Sequence, residues 1–167
     1  VGKKRLRRAP FLRYAVGMAC EFKLVRRVEF SETDLAGIVH YSNFFRYMES
    51  AEHAFFRALG FSIVTTQVAP PVGWPRVHAS CDFRHPLRFE DEVEIHLLVT
   101  EKKAKSLTYL FKLTKLNATP PVLVAQGRIT VVCVARDPNG KMSATPIPNA
   151  IADNIEVAAG TALSLLE

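Results

Sequence analysis

From Glu21 to Phe30 apolar side chains recur at Phe22, Leu24, Val28 and Phe30, close to the alternation of a strand with one buried face. The pattern lapses over 31–41 and resumes with a different period. From Ser42 to Leu59, Phe44, Tyr47, Met48, Ala51, Ala54, Phe55, Ala58 and Leu59 fall on one broad face at 100° per residue, with Arg46, Ser50, His53 and Arg57 opposite. Ser42 suits an N-cap and Gly60 a C-terminal stop, so the spacing predicts a helix of about 25 Å. Its wide apolar arc, flanked by Phe45 and Phe56, calls for wrapping by other structure. Residues 61–73 contain Ala69-Pro-Pro-Val-Gly73 and read as a connection.

Four strand-like runs follow. Residues 76–84 alternate Val77, Ala79, Cys81 and Phe83; 92–102 alternate Val93, Ile95, Leu97 and Val99. Residues 106–116 alternate Leu107, Tyr109, Phe111 and Leu113, and 122–136 form a long run rich in β-branched residues. The links 85–91, 102–105 and 117–121 are short enough for antiparallel neighbours. Asp137-Pro-Asn-Gly140 signals a turn, and a short helix is expected within 146–159. A strand, one long helix and a four-strand meander make an α+β domain, not a parallel α/β one.

At 167 residues and 49% apolar, the chain has room for one domain with one core. The net charge of +6 hints at nucleic acid until its distribution is read. Residues 1–17 carry six Lys/Arg and no acid, leaving 16 of the 22 basic residues against 16 acidic ones in 18–167. The body is neutral and the basic excess is a leader. That leader lacks the apolar run of a secretory signal. A transit peptide, a basic nucleic-acid or membrane tail, and upstream sequence before a natural start at Met18 all fit it, and the last is preferred. The expectation is a leader over 1–17 outside the fold and a single domain over 18–167. Cys20, Cys81 and Cys133 show no C-x-x-C spacing, which argues against a disulfide framework or zinc site and fits a reducing cytosol. No stretch reaches the roughly 18 apolar residues of a membrane span. Phosphate-binding glycine loops are absent from the sequence, and the five histidines have no ligand spacing.

The candidate chemistry lies in Asp34-Leu-Ala-Gly37-Ile-Val-His40-Tyr41-Ser-Asn43, immediately before the long helix. A helix start presents unpaired N–H groups and partial positive charge, suited to an oxygen that gains negative charge during reaction. A carboxylate in the same loop supplies a base or a nucleophile. The pairing suits acyl chemistry.

Phe30-Ser-Glu-Thr-Asp34, Ala36-Gly37-Ile-Val-His-Tyr41 and Asn43-Phe-Phe-Arg-Tyr-Met-Glu49, in this order of elements, resemble the hotdog-fold thioesterases, and most of all the 4-hydroxybenzoyl-CoA thioesterase family. Asp82-Phe-Arg-His-Pro86-Leu-Arg-Phe-Glu-Asp91 adds a weaker likeness to the family's strand–Pro–loop–Asp–strand segment, and together they cover roughly 21–136. The resemblance implies a curled antiparallel sheet around one central helix, chains paired edge to edge as a homodimer or homotetramer, and active sites at the dimer interface. It implies Asp34 as nucleophile or as base on water, the Tyr41 backbone N–H as polariser of the thioester carbonyl, and Gly37 as the residue permitting a sharp turn and close substrate approach. Asn43 matches the family's Asn without a derivable role. The substrate would be a thioester of coenzyme A or of acyl carrier protein, turned over in the cytoplasm without metal or redox cofactor, nucleic acid or membrane.

Plainer readings stand beside these. Thr-Asp-x-x-Gly is ordinary turn chemistry for Asp34. Glu49 and Glu52 on the helix are candidate acids, yet ion pairs with Arg46, His53 or a strand residue account for them more simply. His40 is a candidate substrate contact or a packing residue. Lys102, Lys103 and Lys105, with Arg84 and Arg88, are candidate contacts for coenzyme A phosphates, although any soluble sheet displays charged turns. Trp74 and Pro75 read as core or edge packing. Rival functions are a hotdog hydratase or dehydratase, which needs a His/acid pair that His40 with Glu49 or Glu52 would only imitate, and a non-catalytic thioester- or nucleic-acid-binding module.

Overall fold

The computed structural model describes residues 19–160. Strand β1 (Glu21–Arg27) leads through a 3-10 turn, Phe30–Glu32, and a hairpin into helix α1 (Ser42–Ala58). A short β2 (Val72–Gly73) precedes β3 (Arg76–Phe83), β4 (Glu92–Lys102), β5 (Ser106–Lys115) and β6 (Val122–Val132); β7 (Val134–Arg136), β8 (Met142–Ala144) and α2 (Asn149–Ala152) follow. Five strands form one antiparallel sheet in the order β1-β4-β5-β6-β3, and β2, β7 and β8 form a small second sheet. The α+β reading and the central helix hold. Among the described residues no helix is long and apolar enough to cross a membrane. The leader, 1–17, lies outside the described residues.

The α1 face that enters the core carries Phe44, Tyr47, Met48, Ala51, Phe55 and Phe56, with Asn43 and Glu52 at its border. This buried stripe is rotated from the expected arc: Ala58 is exposed and Ala54 and Leu59 half-buried. It packs on Val93, Ile95, Leu97 and Val99 of β4 and Leu107, Tyr109, Phe111 and Leu113 of β5. The register aligns Phe22, Leu97, Phe111, Gly127 and Cys81 in one row across the sheet. Gly127 is the gap in that row, and Met48 fills it. Trp74 is buried with its ring 5.2 Å from that of Phe56, so it packs in the core.

Four expectations change. The 85–91 link does not join neighbours, because both edges of β4 are occupied by β1 and β5; β3 crosses to the far edge, beside β6. The long 122–136 run divides at Cys133, whose N–H donates to Lys105 O and whose carbonyl accepts from Thr145, so the chain leaves the large sheet for the small one. The helix within 146–159 contracts to four residues, because the Ala19 N–H donates to Asn154 O, the Glu156 N–H to Ala19 O and the Ala158 N–H to Val99 O, holding that segment extended. Ser42 is the first helical residue and not the cap; Tyr41 holds that position with helical φ −51° and ψ −34° and no side-chain capping bond. Gly60, at φ +87°, ends the helix as expected.

The Gly127 gap yields a stability test. A Cβ there would lie 2.3 Å from Met48 Sδ and 3.0 Å from Ser80 O. Gly127→Ala is expected to destabilise by about 1–3 kcal/mol, lowering the urea midpoint at constant m. An unchanged midpoint would show that helix and sheet do not meet this closely.

Candidate active site

The loop before α1 is built from short-range hydrogen bonds. Around the 3-10 turn the Glu32 N–H donates to the main-chain O of Glu29 at 3.0 Å, and the Glu29 N–H donates to Glu32 Oε2 at 2.8 Å. Thr33 and Val39 then pair as an antiparallel bridge. Inside it the Asp34 N–H donates to Ile38 O, and the Gly37 N–H to Asp34 O, each at 2.9 Å. Gly37 takes φ +70°, the left-handed position that closes such a hairpin. A Cβ there would meet only Arg88 Nη1 at 3.8 Å, so glycine is required by conformation and not by space.

Asp34 Oδ1 accepts the Ala36 N–H at 2.8 Å, the turn bond of the plainer reading. Among the described residues nothing donates to Oδ2. Asp34 is exposed and shares a cavity of about 410 Å³ with Ile38, Val39, Tyr41, Phe44, Phe83, Arg84, His85 and Pro86. The Tyr41 amide has no acceptor among the described residues, and it stands at the helix start on the same cavity. The opposite wall is the start of the β3–β4 crossover. The Arg84 and His85 amides both donate to Val124 O of β6, and the Val39 N–H donates to Leu87 O at 2.8 Å, docking the crossover on the hairpin. The Phe44 and Phe83 rings, 5.1 Å apart and edge to face, form the apolar floor.

Residues 28–155 match the family model of the thioesterase-like superfamily. The chain belongs to this superfamily. An Aquifex aeolicus protein named as an esterase is 35% identical over 123 residues, covering 72% of this chain and 88% of the relative. A solved gentisyl-coenzyme A thioesterase is 32% identical with a TM-score of 0.66, over 78% of this chain and 98% of that one. The 4-hydroxybenzoyl-CoA thioesterase of Pseudomonas sp. strain CBS-3, 23% identical with a TM-score of 0.69 over 80% of this chain and 99% of its own, shares the hotdog fold.

In this thioesterase-like chain the residues singled out from sequence divide into two groups. Asp34 and Tyr41 meet at the cavity, and Gly37 closes the hairpin between them without entering its lining. Asn43 is buried and donates from Nδ2 to Glu32 O at 2.8 Å, which supplies the role its sequence lacked: it ties the first helical turn to the loop. The His40 ring bonds Ser42 Oγ through Nδ1 at 2.8 Å and stacks beside Tyr41, outside the cavity lining. Glu49 lies 3.2 Å from Arg76 of β3. Lys102, Lys103 and Lys105 are not brought to Asp34 of their own chain. Lys102 Nζ donates to Ala152 O and Ile155 O, Lys103 pairs with Glu101 and Lys105 donates to Ala144 O; the first two line a separate depression.

Sequence reasoning missed His85, Pro86 and the apolar lining, although the 82–91 motif pointed to their segment. Asp91 serves that segment structurally. Burial alone would raise its carboxyl, but bonds from Lys115, the Arg88 amide and Asn117 carry it below its usual value, closing the crossover with a fixed charge. Glu52 is fully buried, paired with Arg76 at 2.6 Å, as the strand-partner reading expected. Burial pushes its carboxyl up to about 7, Arg76 opposing and Glu49 adding to the rise.

A carboxyl whose pKa is higher folded than unfolded binds its proton more tightly when folded, so stability falls as pH rises between 4.5 and about 7. The fall reaches at most about 3 kcal/mol. Glu52→Gln, which still accepts from Arg76, is expected to remove this component. Urea unfolding at pH 5 and pH 8 should show the variant gaining on the native chain at the higher pH; equal differences at both would refute it.

Proposed function

We propose that this chain hydrolyses acyl-CoA thioesters to the free acid and thiol, with Asp34 and the Tyr41 amide as the reacting machinery. The observation that carries the reading is their juxtaposition on one largely apolar cavity: a carboxylate oxygen and a helix-start N–H, each without a partner among the described residues. The amide is suited to receive the thioester carbonyl oxygen as it becomes an oxyanion. Asp34 takes a proton from water as the water oxygen bonds the carbonyl carbon; the C–S bond then breaks, and the departing sulfur takes that proton. Direct attack by Asp34 gives an acyl-aspartyl anhydride with release of the thiol, and water then cleaves the anhydride. A thiolate is a good leaving group, so neither route needs a triad, metal or redox cofactor.

Arg84 lines the cavity, and Arg88 Nη1 lies 3.5 Å from Gly37 O, so guanidinium groups stand at its mouth for coenzyme A phosphates. An acyl carrier protein would present the same thioester. His40 and Asn43 border the site without entering the cavity lining, and Glu49 lies further along α1 against Arg76. In this reading they shape it, and Lys102, Lys103 and Lys105 reach substrate only where a second copy brings them to the cavity. A homodimer is supported by β3, an edge strand with Val77 63% and Phe83 51% exposed, whose end forms the cavity wall. A reducing cytoplasm fits its free thiols, Cys20, Cys81 and Cys133. The fold described is one body with one core, consistent with a single domain from about residue 18 onward.

Thiol release from aromatic, short and long acyl-CoAs tests the reaction. Asp34→Asn is expected to lower kcat by about 100-fold or more, since it removes the one carboxylate that the described residues place on the cavity. Equal rates for both chains would sink the assignment of Asp34, and an unsaturated or hydrated acyl-CoA formed without thiol release would identify the hydratase rival. A second measurement addresses assembly. Val77→Asp on the β3 edge is expected to shift the chain from dimer to monomer by analytical ultracentrifugation, and a native chain already monomeric would refute the edge-paired dimer.

A further inference from the structure

Glu32 stands two residues before Asp34 and joins more elements than any other side chain near the cavity. Its carboxylate accepts from Arg26 Nη2 of β1 through Oε1 at 2.5 Å. Through Oε2 it accepts the Tyr47 hydroxyl of α1 and the Glu29 amide, both at 2.8 Å. The Arg26 guanidinium lies over the Tyr47 ring, 4.2 Å from its centre. The main-chain oxygen of Glu32 accepts the His40 N–H at 2.9 Å and Asn43 Nδ2 at 2.8 Å. Sheet, helix and both arms of the hairpin therefore converge on one residue. Its side chain is only 16% exposed, and its bonds to Arg26 are charge-assisted.

The second arm of the hairpin runs into α1, with the Asn43 N–H donating to His40 O at 2.9 Å, while Glu32 joins α1 to the first arm, which carries Asp34. The Val39–Leu87 bond attaches the hairpin to the crossover, not to the helix. The separation of the Asp34 carboxylate from the Tyr41 amide is set through Glu32, Asn43 and Tyr47. We propose that Glu32 is a positioning residue of the hydrolysis: it does not touch substrate, and it holds the Asp34 carboxylate in register with the helix-start amide. This rests on the catalytic reading of Asp34 above. Small misplacements of reacting groups are costly, on the order of 100-fold for about 1 Å.

The test is kcat and KM for thiol release from benzoyl-CoA and butyryl-CoA, each rate normalised to the folded fraction. The full chain is compared with Glu32→Gln, Tyr47→Phe, Asp34→Asn and the Asp34→Asn/Glu32→Gln double variant. Glu32→Gln is expected to lower kcat by about 10- to 100-fold with KM within about threefold. Tyr47→Phe keeps the ring beneath Arg26 and removes one bond to Glu32; it is expected to lower kcat by about 3- to 10-fold, and it decides alone if Glu32→Gln does not fold. On the Asp34→Asn background, Glu32→Gln is expected to change the residual rate less than about twofold, because there is no carboxylate left to position. A residue that merely stabilises the fold would lower the midpoint and leave kcat per folded molecule unchanged; that result overturns the proposal, as does an equal loss on both backgrounds. A wild-type rate in Asp34→Asn overturns the catalytic reading and this inference with it. A slow Asp34→Asn beside a wild-type Glu32→Gln and Tyr47→Phe overturns this inference alone.

Discussion

Both edges of β4 are occupied, by β1 on one side and β5 on the other, and the site depends on this saturation. A strand arriving just before β4 in sequence finds no free edge beside it and must travel to β6. Residues 84–91 carry the chain back across the end of the sheet, and that passage gives the Asp34 hairpin a wall to face. The main-chain bonds of the passage are met from three directions: Val124 on β6, Val39 on the hairpin and Val28 at the end of β1. Asp91 closes it with a buried carboxylate held by Lys115 and Asn117. The cavity is therefore a by-product of strand order, lined where two stretches distant in sequence are forced together.

The same loop shows how a turn and a reactive group coexist in one carboxylate. Oδ1 of Asp34 accepts from the backbone two residues on, as many turn aspartates do, and this bond fixes the rotamer in which Oδ2 has no donor among the described residues. The structural and chemical readings of Asp34 are thus two halves of one side chain. At the helix start the Tyr41 amide stays without an acceptor among the described residues because the side chain three residues on, which could reach back to it, is that of Phe44 and has no acceptor.

Much of this architecture is legible from periodicity. The long helix, its glycine stop and the cores of five strands follow from spacing, because a 3.6-residue or two-residue period reports which face is buried. Gly37 is legible because a carboxylate–turn–helix sequence demands a left-handed residue. Strand pairing is not. The alternation of Val77, Ala79, Cys81 and Phe83 is the same whether β3 pairs with β4 or with β6, and the choice is made by edges already taken elsewhere. The division at Cys133 is hidden for a similar reason, since a β-branched run continues through a change of partners. Glu32 is hidden because an isolated acid in a loop reads as solvent-facing, and only the third dimension places Arg26 against it; for Glu52 a strand partner is legible from its place at the edge of the apolar arc, but which strand residue supplies it is not.

Glu52, fully buried, and Glu32, half-buried, each join the helix to another element. A buried ion pair adds little net stability, because desolvation offsets the attraction. Its effect is to penalise arrangements in which the partner is displaced. For Glu52 the partner is Arg76, at the start of the exposed edge strand, and Glu49 approaches the same guanidinium. Displacing β3 from α1 would leave a carboxylate buried without a countercharge, so the strand that ends at the cavity wall is tied to the helix that begins at the cavity mouth. Glu32 ties the other end of that helix to the Asp34 hairpin. The reacting groups are thus tied to one helix by directional contacts along its length, at Asn43 and Tyr47 through Glu32 and at Glu49 and Glu52 through Arg76, beside the close fit of Met48 against Gly127.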